Sequence, residues 1–144
     1  MPLGEFIRRH HHEIIGAFSA FARTLIPHGS DMTETDLRDH AKDTLIPITQ
    51  DLKAEQSAEE QSEKSKGHGC ANVMAASGRL HADGRIEHGF TPSQVLAEFR
   101  ALRPSVLSLY ERAGEADIEG VTRFNEAIDE VLTESMTRYA AKTD

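Results

Sequence analysis

From Arg79 to Tyr139 the chain is almost unbroken helix-forming text, RLHADGRIEHGFTPSQVLAEFRALRPSVLSLYERAGEADIEGVTRFNEAIDEVLTESMTRY, and its punctuation falls where helices end and begin. Gly89 suits a left-handed position closing one helix. Thr91-Pro92-Ser93-Gln94 then opens the next, with Thr91 as N-cap, Pro92 in the first helical position and Gln94 completing a capping box. Val95, Phe99, Leu102, Val106 and Leu109 form its apolar face before Gly114 stops it. Asp117 caps a final helix running to about Ala141. Alternation of the strand type is absent throughout the chain.

Upstream, the spacing predicts three more helices or helix ends. The first, about Gly4 to Ile26, sets Phe6, His10, Ile14, Ala17, Phe18, Phe21 and Leu25 on one stripe, and Pro27-His28-Gly29-Ser30 end it. A second starts near Thr33 or Thr35 and runs toward Gln56 with Leu37, His40, Ala41, Leu45, Ile48 and Leu52 inward, and a kink is expected at Pro47. Polar text follows from Ser57 to Gly69, and a third helix spans about Ala71 to His88. Short connections between long helices favour antiparallel neighbours. The fold class expected is therefore all-α, an antiparallel bundle of four to five helices in one domain, 1–144. A globin-like arrangement of the same helices satisfies the same pattern.

Charge and composition exclude several partners. Sixteen basic against twenty-four acidic residues leave a net charge of −8 on 144 residues. Such a balance argues against nucleic acid, which needs a basic face to displace counterions from phosphates, and against anionic membrane surfaces. The N-terminus lacks the basic, apolar and small-residue order of a secretion signal. One cysteine, Cys70, permits no internal disulfide framework, so a reducing, cytoplasmic location is expected.

Polar residues then interrupt the apolar faces at particular places. His81, Arg85, Glu98, Arg103, Asn125, Glu126 and Asp129 sit in or beside positions that packing alone would fill with aliphatics, and they are the candidate ligand or signal-seam residues. On the last helix Ile118, Val121, Asn125, Ile128, Leu132, Ser135 and Tyr139 recur at coiled-coil spacing. Asn125 in that seam is read either as setting a dimer's register or as bonded by a neighbouring helix within one chain. Glu126 and Asp129, and Arg100 and Arg103, each share a face at a spacing of three, which suits an ion-pair network between helices. His81 could serve as one metal ligand with Glu98 or Glu126, but the repeated Glu-x-x-His signature of bundle metal sites is missing. His10, His11 and His12 point in different directions on a helix, and His68 and Cys70 lack a CxxC or HxxxH partner. No metal and no cofactor are expected, and no GxSxG, Walker or HExxH pattern supports catalysis.

The stretches LHADGRIEHGF, LAEFRALRPSV and DIEGVTRFNEAIDEVLTESMTRY resemble the RsbRD-type N-terminal domain of bacterial sensor histidine kinases and stress-response co-antagonists. DHAKDTLIPITQDLKAEQSAEEQSEKSKGHG is similar to that family's second helix and polar loop, so the resemblance covers about Asp39 to Tyr139. Arg123 to Asp129, RFNEAID, is its most specific part, and the first helix matches only in character. The resemblance implies an all-helical input or docking domain whose last helix leads into an output module, and a homodimer is the expected partner state. It places kinase chemistry beyond Asp144, because this chain has neither a phosphoacceptor box nor an ATP-binding glycine motif. The closing RYAAKTD, without a glycine stop, agrees with a last helix cut in mid-run. Pro104 departs from the family pattern and predicts a kink after Arg103. The readings left open are thus an input domain, a stand-alone protein-interaction module, and a metal- or haem-binding sensor.

Overall fold

The computed structural model describes residues 1–26, 32–53 and 72–143, and within them every regular element is helical. Among the described residues six helices follow in order: α1 (Leu3–Arg9), α2 (His11–Arg23), α3 (Glu34–Lys53), α4 (Asn72–Glu87), α5 (Pro92–Arg112) and α6 (Ile118–Thr143). No helix among the described residues is long and apolar enough to cross a membrane. The expected loop at Pro27–Ser30, the end of the second helix at Gln56, and the polar stretch with His68 and Cys70 lie outside the described residues.

The first expected helix is two. His10, with φ −112° and ψ 18°, breaks it, although its N–H still donates to the Phe6 carbonyl at 3.0 Å. The break lets two differently phased stripes face one core. Leu3, Phe6 and Ile7 enter from α1, and Ile14, Ile15, Phe18 and Ala22 from α2, whereas Ala17 and Phe21 are exposed. No glycine or proline marks the break, so local text alone hides it.

In α3 the expected face holds: Leu37, Ala41, Leu45 and Ile48 are buried. Thr33 and Asp36 cap its start reciprocally, the Asp36 N–H donating to Thr33 Oγ1 at 3.1 Å and the Thr33 N–H to Asp36 Oδ2 at 2.9 Å. The helix continues through Pro47. Proline has no N–H to offer the Asp43 carbonyl, and Ser77 of α4 supplies a donor from its hydroxyl at 3.1 Å. The capping box at the start of α5 is formed in full, and α5 likewise continues through Pro104. Gly89 (φ 80°) and Gly114 (φ 75°) adopt the left-handed conformation that closes α4 and α5.

Antiparallel pairing shows at two junctions. Gly4 of α1 lies against Leu52 of α3, and Arg23 of α2 pairs with Glu34 at the other end. α6 packs most extensively on α4, because Gly78 lets the helices approach until its absent Cβ would lie 2.5 Å from the Val131 carbonyl oxygen. The core is one cluster joining Phe6, Phe18, Leu37, Phe99, Phe124 and Ile128 with their neighbours.

Candidate functional site

The buried face of α6 shares Ile128 and Ser135 with the expected seam and otherwise differs from it in phase. Phe124, Ala127, Ile128, Val131 and Ser135 face the core, while Ile118 is 86% exposed and Val121, Asn125, Leu132 and Tyr139 are half-buried. Both stripes are apolar enough to be a seam, and packing onto α4 selects the one containing Phe124. The candidate polar residues accordingly divide into two groups.

In the first group α4 presents His81 and Arg85 one turn apart, α5 presents Glu98, and α3 presents His40 and Thr44, again one turn apart. Arg85 and Glu98 are completely buried. They form a two-pronged pair, Nε to Oε1 at 2.6 Å and Nη2 to Oε2 at 2.7 Å, the geometry in which a planar guanidinium matches a carboxylate. The remaining nitrogen, Nη1, donates to His40 Nδ1 at 3.0 Å and approaches Met32 Sδ at 3.6 Å. The Phe90 ring lies 5.1 Å from the guanidinium carbon, a cation–π distance. A guanidinium can only donate, so His40 Nδ1 carries a lone pair and the His40 ring is neutral.

His81 completes the cluster. The Thr44 hydroxyl donates to the His40 carbonyl at 3.0 Å, so its oxygen is left to accept from His81 Nδ1 at 3.4 Å. The other ring nitrogen, Nε2, is buried without a hydrogen-bond partner and lies 3.7 Å from Glu98 Oε1, within charge range. The His81 ring also rests 4.8 Å from that of Phe99. Burial opposes ionisation of Glu98, but the charges of His81 and Arg85 and the Arg85 hydrogen bonds outweigh it and hold the carboxyl at about 2. Burial, then the charges of Arg85 and His81, push His40 down to about 4.

The second group is peripheral. Arg103 donates to Asn125 Oδ1 and, at 2.8 Å, to Asp129 Oδ1. Asn125 is therefore bonded by the neighbouring helix, one of its two expected arrangements. Asp129 is two-thirds exposed, and pairs of that kind contribute little to stability. Glu126 is half-buried on α6, and Arg100 is exposed.

Four positions escaped the sequence reading as site residues. On spacing alone His40 is one position of an apolar stripe and Thr44 is not singled out, yet a histidine and a threonine at that spacing between Leu37 and Leu45 are the trace of a polar partner. Gly84, inside a helix, is the second trace: a Cβ there would collide with the His40 ring. Arg123 is the fourth position. It is buried and donates to the α3 carbonyls of Asp51 and Leu52, in the last described turn of that helix.

Chemically the cluster is a closed charge store rather than a reaction centre. Glu98 has both oxygens held by Arg85, so the carboxylate nearest His81 is already committed to a cation. No group of three potential metal ligands comes together among the described residues. On the surface His10 stacks on Phe6 with ring centres 4.2 Å apart and pairs with Glu13, while the His11 ring sits 4.0 Å from that of His12. No protein-family model, curated protein or solved structure matches the chain.

Proposed function

We propose that the chain is the signal-input domain of a bacterial sensor histidine kinase, acting in the cytoplasm as a homodimer and passing its signal through α6. The observation that supports this reading is the fully buried Arg85–Glu98 pair with His40 and His81 attached, which ties α3, α4 and α5 together. Burying two charges costs desolvation that an aliphatic core would not incur. The short bonds tolerate little displacement, so a slide of one helix breaks them, and in this reading a second packing with the pair rearranged lies close in energy. A signal that binds one packing better shifts the balance. α6 lies over α4 at Gly78, so it is the element that such a shift moves. Catalysis belongs to downstream domains in this reading, and none is assigned to the residues here.

The test begins with the native reading frame beyond the Asp144 codon. A continuing frame encoding a phosphoacceptor histidine and an ATPase domain supports the proposal, and autophosphorylation of that protein should change several-fold in the Arg85→Met/Glu98→Leu double variant. A stop codon overturns the kinase reading in favour of a free-standing co-antagonist. Unchanged autophosphorylation in the double variant makes the cluster structural only.

A further inference from the structure

A groove of about 410 Å³ runs along α3 on the side that faces α1 and α2. Ile15 and Leu45, both nearly fully buried, form its floor, and Ile46, 51% exposed, forms its apolar wall. The remaining lining is Arg8, His11, Lys42, Thr49 and Gln50. Because α1 and α2 run antiparallel to α3, the groove has a direction. Arg8 and His11 lie toward Thr49 and Gln50, and Lys42 lies toward Ile15.

Its charge is opposite to that of the chain. The protein carries 24 acidic and 16 basic residues, yet no carboxylate lines this groove and three basic side chains do. Neither Arg8 nor Lys42 forms an ion pair among the described residues, whereas adjacent Arg9 is paired with Glu5 at 2.8 Å. His11 Nδ1 is bonded to the Arg8 carbonyl at 2.8 Å, which leaves its Nε2 uncommitted. Thr49 donates back to the Leu45 carbonyl, so its oxygen can only accept further, and Gln50 lines the same groove as Arg8 with an amide that can donate. An apolar trough with unpaired cations at its ends suits an apolar ligand with an anionic head.

Its size narrows the choice. The volume lies within the range of small-molecule sites, roughly 300–1,000 Å³. From Lys42 to Gln50 the α3 axis rises about 12 Å. An extended hydrocarbon of roughly nine carbons covers that length at ordinary bond geometry.

We propose that this groove binds a free medium-chain acyl carboxylate, its chain on Ile15, Leu45 and Ile46 and its head at Arg8 with the Gln50 amide. The Lys42 end accommodates the chain terminus along the lysine's methylene stem. This site is separate from the buried cluster, and the inference stands whether or not the chain feeds a kinase.

The test is titration of isotope-labelled protein with octanoate, nonanoate and decanoate, each kept below its micelle concentration, followed by amide shifts and calorimetry. Saturable binding is expected, with shifts confined to α1, α2 and α3 around the groove. Affinity should rise by about fourfold per added methylene. Decanol should bind at least about tenfold more weakly than decanoate, and Arg8→Glu and Ile46→Asp should each weaken decanoate by about tenfold. Both side chains are exposed or half-exposed, so circular dichroism and Tm should stay near those of the parent. Absence of saturable shifts overturns the proposal. So does equal binding of decanol and decanoate, or unchanged affinity in both folded variants. Shifts at the groove produced only by anionic vesicles or by an acidic helical peptide replace the acyl ligand with those partners.

Discussion

At the scale of single residues, Glu98 shows how opposing terms decide a charge. Its burial alone would favour the neutral acid, and only the guanidinium of Arg85 and the charge of His81 reverse that preference. Removing one partner of such a pair strands the other. Glu98→Gln should therefore lower unfolding free energy by about 3–5 kcal/mol, read from urea denaturation. Replacing both, as Arg85→Met with Glu98→Leu, should be neutral or stabilising by about 1–4 kcal/mol. A double variant as unstable as the single one would mean that the pair contributes net stability. The other buried atoms follow the same logic at lower stakes: the two terminal nitrogens of Arg123 donate to the Asp51 and Leu52 carbonyls, while its Nε and the hydroxyls of Ser19 and Ser135 are buried without a partner and stand as small costs.

Elements add constraints that no residue holds alone. Gly84 and Gly78 are both inside α4, where alanine would ordinarily gain up to about 1 kcal/mol in helix propensity. Gly84→Ala drives a methyl group into the His40 ring, and Gly78→Ala drives one into the α6 backbone at Val131 and the Cβ of Glu134. Each should cost about 1–3 kcal/mol instead, and thermal melting of the two variants checks the sign. Asp117 joins two helix starts, accepting from the Gly120 N–H of α6 at 3.0 Å and from the Leu3 N–H of α1 at 2.9 Å. Asp117→Ala should cost about 1–2 kcal/mol, at the upper end for a cap because two ends lose their acceptor. Local signals of this kind were legible in the sequence: Thr91, Pro92 and Gln94, the two closing glycines, Asp117 and the apolar face of α3 all act within a turn or two of their own position. Tertiary choices were not. Periodicity reports which residues share a face, but α6 has two usable faces, and the fit onto Gly78 chose between them. Likewise, His81, Arg85 and Glu98 stood out as polar residues near apolar faces. Their partner His40 did not, since a contact across 45 positions leaves only an ill-fitting polar residue behind.

For the molecule as a whole, these groups set a response to acid. His40 is held neutral by the fold, with its pKa down from 6.5 to about 4, so the unfolded chain takes up its proton first. That contribution is complete above about pH 6.5 and is lost as pH falls toward 4. Glu98 is held charged, with its pKa down from 4.5 to about 2, so its contribution is present above about pH 4.5 and is lost on further acidification. Both act in the same direction, in two successive windows. The urea midpoint should thus fall continuously as pH drops from neutral, and His40→Gln should flatten the upper window while leaving the lower one. A midpoint constant between pH 6.5 and 4 would contradict the burial of a neutral His40.

The mutual dependence of Arg85 and Glu98 also bears on descent. With whole-domain stabilities of about 5–15 kcal/mol, losing one partner removes about a fifth of the margin at best and the whole of it at worst. A lineage can leave this arrangement only by changing both positions within a short interval, or by first accumulating stability elsewhere. The pair behaves as a single heritable character, and Gly84, which makes room for the ring beside it, is bound to the same fate.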